Sequence, residues 1–303
     1  MTKVVVPFPK GQRLRSPLAQ FFRVGDSHNK FAEMFASGGL PASRVVFDSG
    51  RLNRQTALAK ELKAEGVEIT IDTGAAELSS LARHRTFVRN SPWLSEVPMN
   101  PLGPDAFTVA IIERIAEMAV AVGADRVLAP SHFLGDPRFD GWLKVDAASC
   151  SALRAALDRL GGGRIRIDYP VIQSVQGLVD PTSRKALAET LSILPVDAIW
   201  MRLSGLGKEP GPQKVRSLIR MLSGFHNMGK PVILDYCSGL NAEATEAFGV
   251  ASGSASGILE LDQFNARDWH KPPEEPDPDA QFGRRSVVQV PGLGRGFYAH
   301  EFE

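Results

Sequence analysis

Asp48, Asp72, Asp235, Glu260 and Asp262 each stand at or just past the end of a short apolar run that reads as a β-strand. Carboxyl groups leaving several strands at the same end gather in one place if those strands run parallel in a closed barrel, because a parallel barrel presents all its strand exits at one mouth. Displacement at an anomeric carbon needs two such groups. One is ionised, to attack or stabilise an oxocarbenium-like centre, and the other exchanges a proton with the leaving group. Asp48 and Asp262 fit these roles. The stretch from Ser256 to Phe264 reads as a buried strand that carries Glu260 and Asp262 on one face. A cap is the competing role for each acid, with its carboxylate accepting N–H bonds from the start of the next helix.

Other polar groups sit at the same kind of position. His132 lies in the run Pro130 to Asp136, Gln173 and Gln176 bracket Ser174-Val175, Ser204-Gly205 follows a strand bearing Arg202, and Tyr236 follows Asp235. An inward arginine is costly unless paired, so Arg202 salt-bridges Glu260 or holds a phosphate. Asp72, Asp235, Glu260, Asp136 and His132 would suit a divalent cation by ligand type, but no tight ligand spacing links them, and neither metal nor cofactor is expected. The Gly/Ser-rich run 249–257 serves phosphate binding through backbone N–H groups or close packing. Of the four tryptophans, Trp93 and Trp269 are the better placed to stack on a base.

The elements that would position these groups alternate regularly. Strand-like stretches begin at Arg44, Val67, Arg126, Arg164, Asp197 and Pro231, with helical stretches at 53–65, 105–122, 142–160, 181–194, 212–227 and 241–248 between them. This order predicts an α/β fold of the TIM (β/α)8 type, with right-handed crossovers and an eighth strand from Val4-Val5-Val6 or from Ser286 to Val290. Residues 1–43 then form an N-terminal extension packed on the barrel, with a helix through Phe21, Phe22, Phe31 and Phe35. Residues 44–265 form the barrel, and 266–303 a Pro-rich linker and tail. The broken stretch from Arg85 to Pro104 reads as a lid or binding loop.

Composition narrows the classes. At 303 residues, 43% of them hydrophobic, the chain can bury one large core, and a formal charge of +1 gives no overall field for a polyanion. Two cysteines, Cys150 and Cys237, are too few for a disulfide framework or a thiolate zinc cluster, which predicts no structural zinc and suits a reducing cytosol. No run of about 18 apolar residues occurs, so a cytoplasmic protein without a membrane span is expected.

In the order of their motifs, these exits resemble the tRNA-guanine transglycosylase family. Val46-Phe47-Asp48-Ser49-Gly50 is similar to that family's strand ending in its acid/base Asp, and Gly257-Ile258-Leu259-Glu260-Leu261-Asp262 to the run that delivers its nucleophilic Asp. Val175-Gln176-Gly177 resembles a base-reading segment, and Ser204-Gly205-Leu206-Gly207 the family's Gly-rich loop. The resemblance implies a pentosyl-transferring, base-exchanging TIM barrel, with Asp262 as nucleophile, Asp48 as general acid/base, and Gln176 with the Gly205 backbone reading a guanine or 7-deazaguanine-type base. It implies tRNA or DNA as the polymer. Two departures are plain: no acid follows Leu128-Ala129-Pro130-Ser131-His132, and the family's C-terminal zinc module is missing. A barrel without turnover that binds nucleic acid or serves as a partner subunit, a metal- or phosphate-dependent enzyme of a small metabolite, and a homodimer stay open.

Overall fold

The computed structural model describes residues 19–81, 88–94, 109–137, 140–207, 211–258, 261–272, 287–290 and 295–298. Eight parallel strands close into a barrel in sequence order: β1 (Ala19–Arg23), β2 (Arg44–Asp48), β3 (Glu68–Asp72), β4 (Arg126–Leu128), β5 (Arg166–Ser174), β6 (Ala198–Ser204), β7 (Val232–Asp235) and β8 (Gly253–Gly257). The connecting helices are α1 (His28–Ala36), α2 (Leu52–Ala64), α3 (Val109–Val122), α4 (Trp142–Arg159), α5 (Pro181–Ile193), α6 (Pro212–Ser223) and α7 (Gly239–Ala247). The TIM-type (β/α)8 fold is as the alternation predicts. Among the described residues no helix is long and apolar enough to cross a membrane.

Side chains alternate across each strand, so one set fills the barrel and the other meets the helices. Outward Val45, Phe47, Ile69, Ile71, Val127, Ile167, Ile199 and Leu234 join the helix-facing core. Inside the barrel, Phe21, Val46, Leu128, Trp200, Ile233 and three alanines make a second, separate apolar cluster, with Phe21 edge-on to Trp200 at 4.8 Å. This plug separates two layers of inward charges. Arg44, Glu68, Arg126 and Arg166 lie at the strand starts, and Arg23, Asp48, Asp72, Arg202 and Asp235 at the strand ends.

Three sequence expectations are corrected here. The eighth strand is Ala19–Arg23, inside the segment assigned to an N-terminal extension; the expected helix keeps Phe31 and Phe35 but loses Phe21 and Phe22. Val287–Val290 pairs antiparallel with Arg295–Tyr298 in a separate two-stranded sheet, and Val4-Val5-Val6 lies outside the described residues. Finally, the strand near residue 260 ends at Gly257 and is built from Gly, Ser and Ala. The reason is steric: a Cβ at Gly253 would stand 2.0 Å from the Ala19 carbonyl oxygen, so only glycine lets β8 close on β1.

Candidate active site

At the strand ends two arginines face three aspartates. Arg23, at the end of β1 and 1% exposed, forks onto Asp235 through Nε (2.8 Å) and Nη2 (2.7 Å), while its Nη1 reaches Asp72 (3.0 Å) and Asp48 (3.2 Å). Arg202 donates through Nε to Asp235 (2.6 Å) and through Nη2 to Asp72 (2.5 Å). Desolvated charges are tolerable only when paired and hydrogen-bonded, and each of these charges is both. Tyr236 closes the group from one side, its ring 4.3 Å from the Arg23 guanidinium carbon and 5.6 Å from that of Arg202.

Above this layer lies a cavity of about 440 Å³. Asp48, Asp72, Glu77, Arg51 and Arg202 supply its charges, and Tyr236, Phe264 and Trp269 its aromatic walls. The roof is the segment 261–272, tied down by the Ser204 hydroxyl, which bonds Asn265 Oδ1 (3.1 Å) and accepts from the Ala266 N–H (2.9 Å). Phe264 and Trp269 meet edge to face at 5.6 Å, and the Leu81 N–H donates to the Trp269 carbonyl (2.7 Å). Two lining residues without the freedom of glycine, Tyr236 and Leu261, hold φ values of +56° and +67°. Such strained backbone persists where the surroundings over-determine it, as at ligand sites.

The carboxyls of this cavity are driven apart in acidity. Burial alone would raise Asp72, but Arg202, Arg23 and the Gly74 N–H pull it down to about 2. Burial, aided by the neighbouring Asp72 charge, raises Asp48 despite Arg23 and Arg51. Glu77, in the 3₁₀ turn Ala75–Ser79 after β3, is pushed up to about 8 by burial and then by the charges of Asp48 and Asp72. At neutral pH the cavity therefore holds one proton-bearing carboxyl beside an ionised one, the arrangement that divides acid from base roles.

Of the residues singled out from the sequence, Asp48, Asp72, Arg202, Asp235, Tyr236 and Trp269 converge here. Asp48 is not a cap: its carboxylate accepts from the Arg23 and Arg51 (2.6 Å) side chains, and it makes no capping bond to a backbone N–H of the following turn. Asp262 is displaced from this group because β8 ends five residues before it. It is half-buried, does not line the cavity, and lies near Cys237, whose thiol goes up to about 12 through burial and then the charges of Glu246 and Asp262. Gln176 is exposed on the 3₁₀ turn Gln176–Leu178. Gln173 folds back over Gly135 and Gly177, where a Cβ on either glycine would lie 2.6 Å from its Oε1, and accepts from the Ser174 N–H (2.8 Å). Gly205 is an exposed turn with φ +86°.

His132 is buried, bonded through Nδ1 to Asp146 (2.6 Å) and stacked on Trp142 at 3.8 Å. Trp93 is a core residue whose indole N–H donates to Ser49 (3.1 Å). Glu260 lies outside the described residues; among the described residues Arg202 pairs with Asp72 and Asp235. The Gly/Ser run is strand β8 and its approach, used for close packing. Among the described residues no three His, Cys, Asp or Glu side chains are grouped to hold a metal ion.

No family model and no curated protein matches the chain. Among solved structures it is similar to a type I 3-dehydroquinate dehydratase from Clostridium difficile, crystallised with covalently modified comenic acid. The TM-score is 0.50 at 9% identity, over 82% of this chain and 88% of that one. A likeness at that identity establishes the shared barrel and nothing about its chemistry.

Two residues of the site carry no sequence signal of comparable strength. Arg23 follows two phenylalanines in a five-residue strand, and Glu77 is one acid in a short loop. The available clue to Glu77 is its place five residues after the exit acid Asp72.

Proposed function

We propose that the barrel mouth is the active site of an enzyme that cleaves or exchanges a nucleobase at an N-glycosidic bond, with Glu77 as proton donor and Asp48 as the carboxylate facing the sugar. The observation that carries this reading is Glu77, its acidity constant pushed up to about 8 by burial, beside arginine-held aspartates in a cavity walled by Tyr236, Phe264 and Trp269. Aromatic walls favour a planar ring, and the carboxyls and Arg202 offer acceptors and donors to its edge.

In base exchange the C1′–N bond breaks with its electron pair passing to the departing nitrogen, which takes the proton of Glu77. The incoming base gives its own electron pair to C1′ and its N–H proton to Glu77, which restores the acid. The Asp48 carboxylate stabilises the positive charge that develops on the sugar between these events. Asp262, outside the cavity lining, has no part in this scheme.

The test is exchange of a labelled guanine or 7-deazaguanine base into tRNA, DNA and free nucleosides. Glu77→Gln and Asp48→Asn should each lower the rate by roughly 10²- to 10⁴-fold, the usual worth of a positioned acid or base, and Asp262→Asn should leave it nearly unchanged. Label incorporation that survives Glu77→Gln but vanishes in Asp262→Asn would return the chemistry to Asp262. Folded protein that exchanges no base into any of the three substrates would sink the reading.

A further inference from the structure

Ion pairing accounts for two of the three arginines at the opposite end of the barrel. Arg126 donates through Nε to Glu68 (2.6 Å) and through Nη1 to both oxygens of Asp168 (2.8 and 2.9 Å), and Arg166 Nη2 lies 2.7 Å from Glu68 Oε2. Arg44 is different. It approaches Glu68 no closer than 3.9 Å, stands over the Phe21 ring at 5.8 Å, and donates no side-chain hydrogen bond among the described residues. The three guanidinium groups line a cavity of about 50 Å³ together with Ala19, Phe21, Ser252 and other small or apolar residues. Glu68 and Asp168 are the carboxylates within ion-pair distance of these arginines, and Asp197 lies close enough to act on Asp168.

We propose that this floor cavity is a binding site for a small phosphate-class oxyanion, held by Arg44 with Arg166 and independent of the chemistry at the other mouth. Three features carry this. A guanidinium has five N–H donors in a fixed fork that matches tetrahedral oxyanions, and those of Arg44 are unspent. The volume exceeds the roughly 30 Å³ that one water occupies in the liquid, and suits an ion of a few heavy atoms. The site opens to solvent, since the Arg166 side chain is 40% exposed, so an ion can enter and leave.

The experiment is a thermal-unfolding titration with inorganic phosphate against chloride at matched ionic strength, repeated with phenyl phosphate, on the full chain and on Arg44→Gln and Arg166→Gln. The parent should show a saturable rise in Tm, about 2 °C at tenfold excess over Kd, and both variants should lose it. If phenyl phosphate saturates like inorganic phosphate, the floor accepts the phosphoryl end of a larger molecule; if inorganic phosphate alone does, it accepts the free ion. A rise that is linear in phosphate, or equal in parent and variants, is the general salting effect on folding and overturns the site, as does no rise at all. Should Arg44→Gln fail to fold, Arg166→Gln decides by the same criterion.

Discussion

Arg23 and Arg126 are both arginines planted inside the barrel, the first holding three carboxylates and the second two, yet they differ in how far water reaches them. The Arg23 side chain is 0% exposed and is enclosed with Asp235, which is equally buried. Arg126 is 14% exposed, and its partner Glu68 21%. At the floor, water reaches Arg126 and Glu68 while Asp168 is fully buried, and the ions serve as ties between strand starts. At the mouth the same kinds of ion are desolvated, so each carboxyl feels its neighbours strongly, and their acidities spread from about 2 for Asp72 to about 8 for Glu77. Enclosing several carboxyls together is what spreads the acidities at the mouth.

That contrast can be broken most forcefully at Arg23. Arg23→Met leaves Asp235, Asp72 and Asp48 short of a buried cation, and urea unfolding should register a loss of about 3–5 kcal/mol. A loss below about 1 kcal/mol would put the mouth in the same screened regime as the floor.

Glu77→Gln tests the same idea through pH. Below about pH 4.5 the Glu77 carboxyl is protonated in both folded and unfolded chains, and between there and about 8 only the folded chain keeps its proton. Stability therefore falls as pH rises through that window and levels off above it. Asp72 acts with the opposite sign: its stabilising effect is present above its ordinary value of 3.8 and is lost as pH falls toward about 2. Urea midpoints of Glu77→Gln and the parent should coincide near pH 4, and the variant should be the more stable at pH 8. Parallel midpoints across the whole range would mean that Glu77 titrates as an exposed acid.

The smallest effect belongs to the floor. Arg166→Gln removes a half-exposed ion pair and should cost no more than about 1 kcal/mol in phosphate-free buffer, an amount that shrinks further in high salt.

Much of this architecture was legible in the sequence, and the failures have physical causes. β2 through β7 are recognisable because β-branched and apolar residues alternate between Gly-marked turns, and their exit acids Asp48, Asp72 and Asp235 were found with them. β1 is concealed because Phe21 faces the plug while Phe22 faces the helices, so adjacent aromatics hide the alternation, and Arg23 was lost with it. β8 is concealed because closure on Ala19 demands small residues, whereas Ile258, Leu259 and Leu261 beyond it look more like a strand. That displacement of the strand also misplaced Asp262. Glu77 carries only the weak clue of its place after Asp72, since its elevated acidity constant is a property of enclosure by residues far apart in the chain.

Arg23 and its partner Asp235 are separated by 212 residues. On a ribosome that adds about 5–20 residues each second, Arg23 waits roughly 10–40 s before Asp235 exists. During that interval β1 has β2 on one side and an open hydrogen-bonding edge on the other, since its second neighbour, β8, is made later still. The nascent chain must keep this half-barrel hydrated and unaggregated until the last strand emerges, and the charge on Arg23 helps do so by keeping water at an edge that will finally be dry.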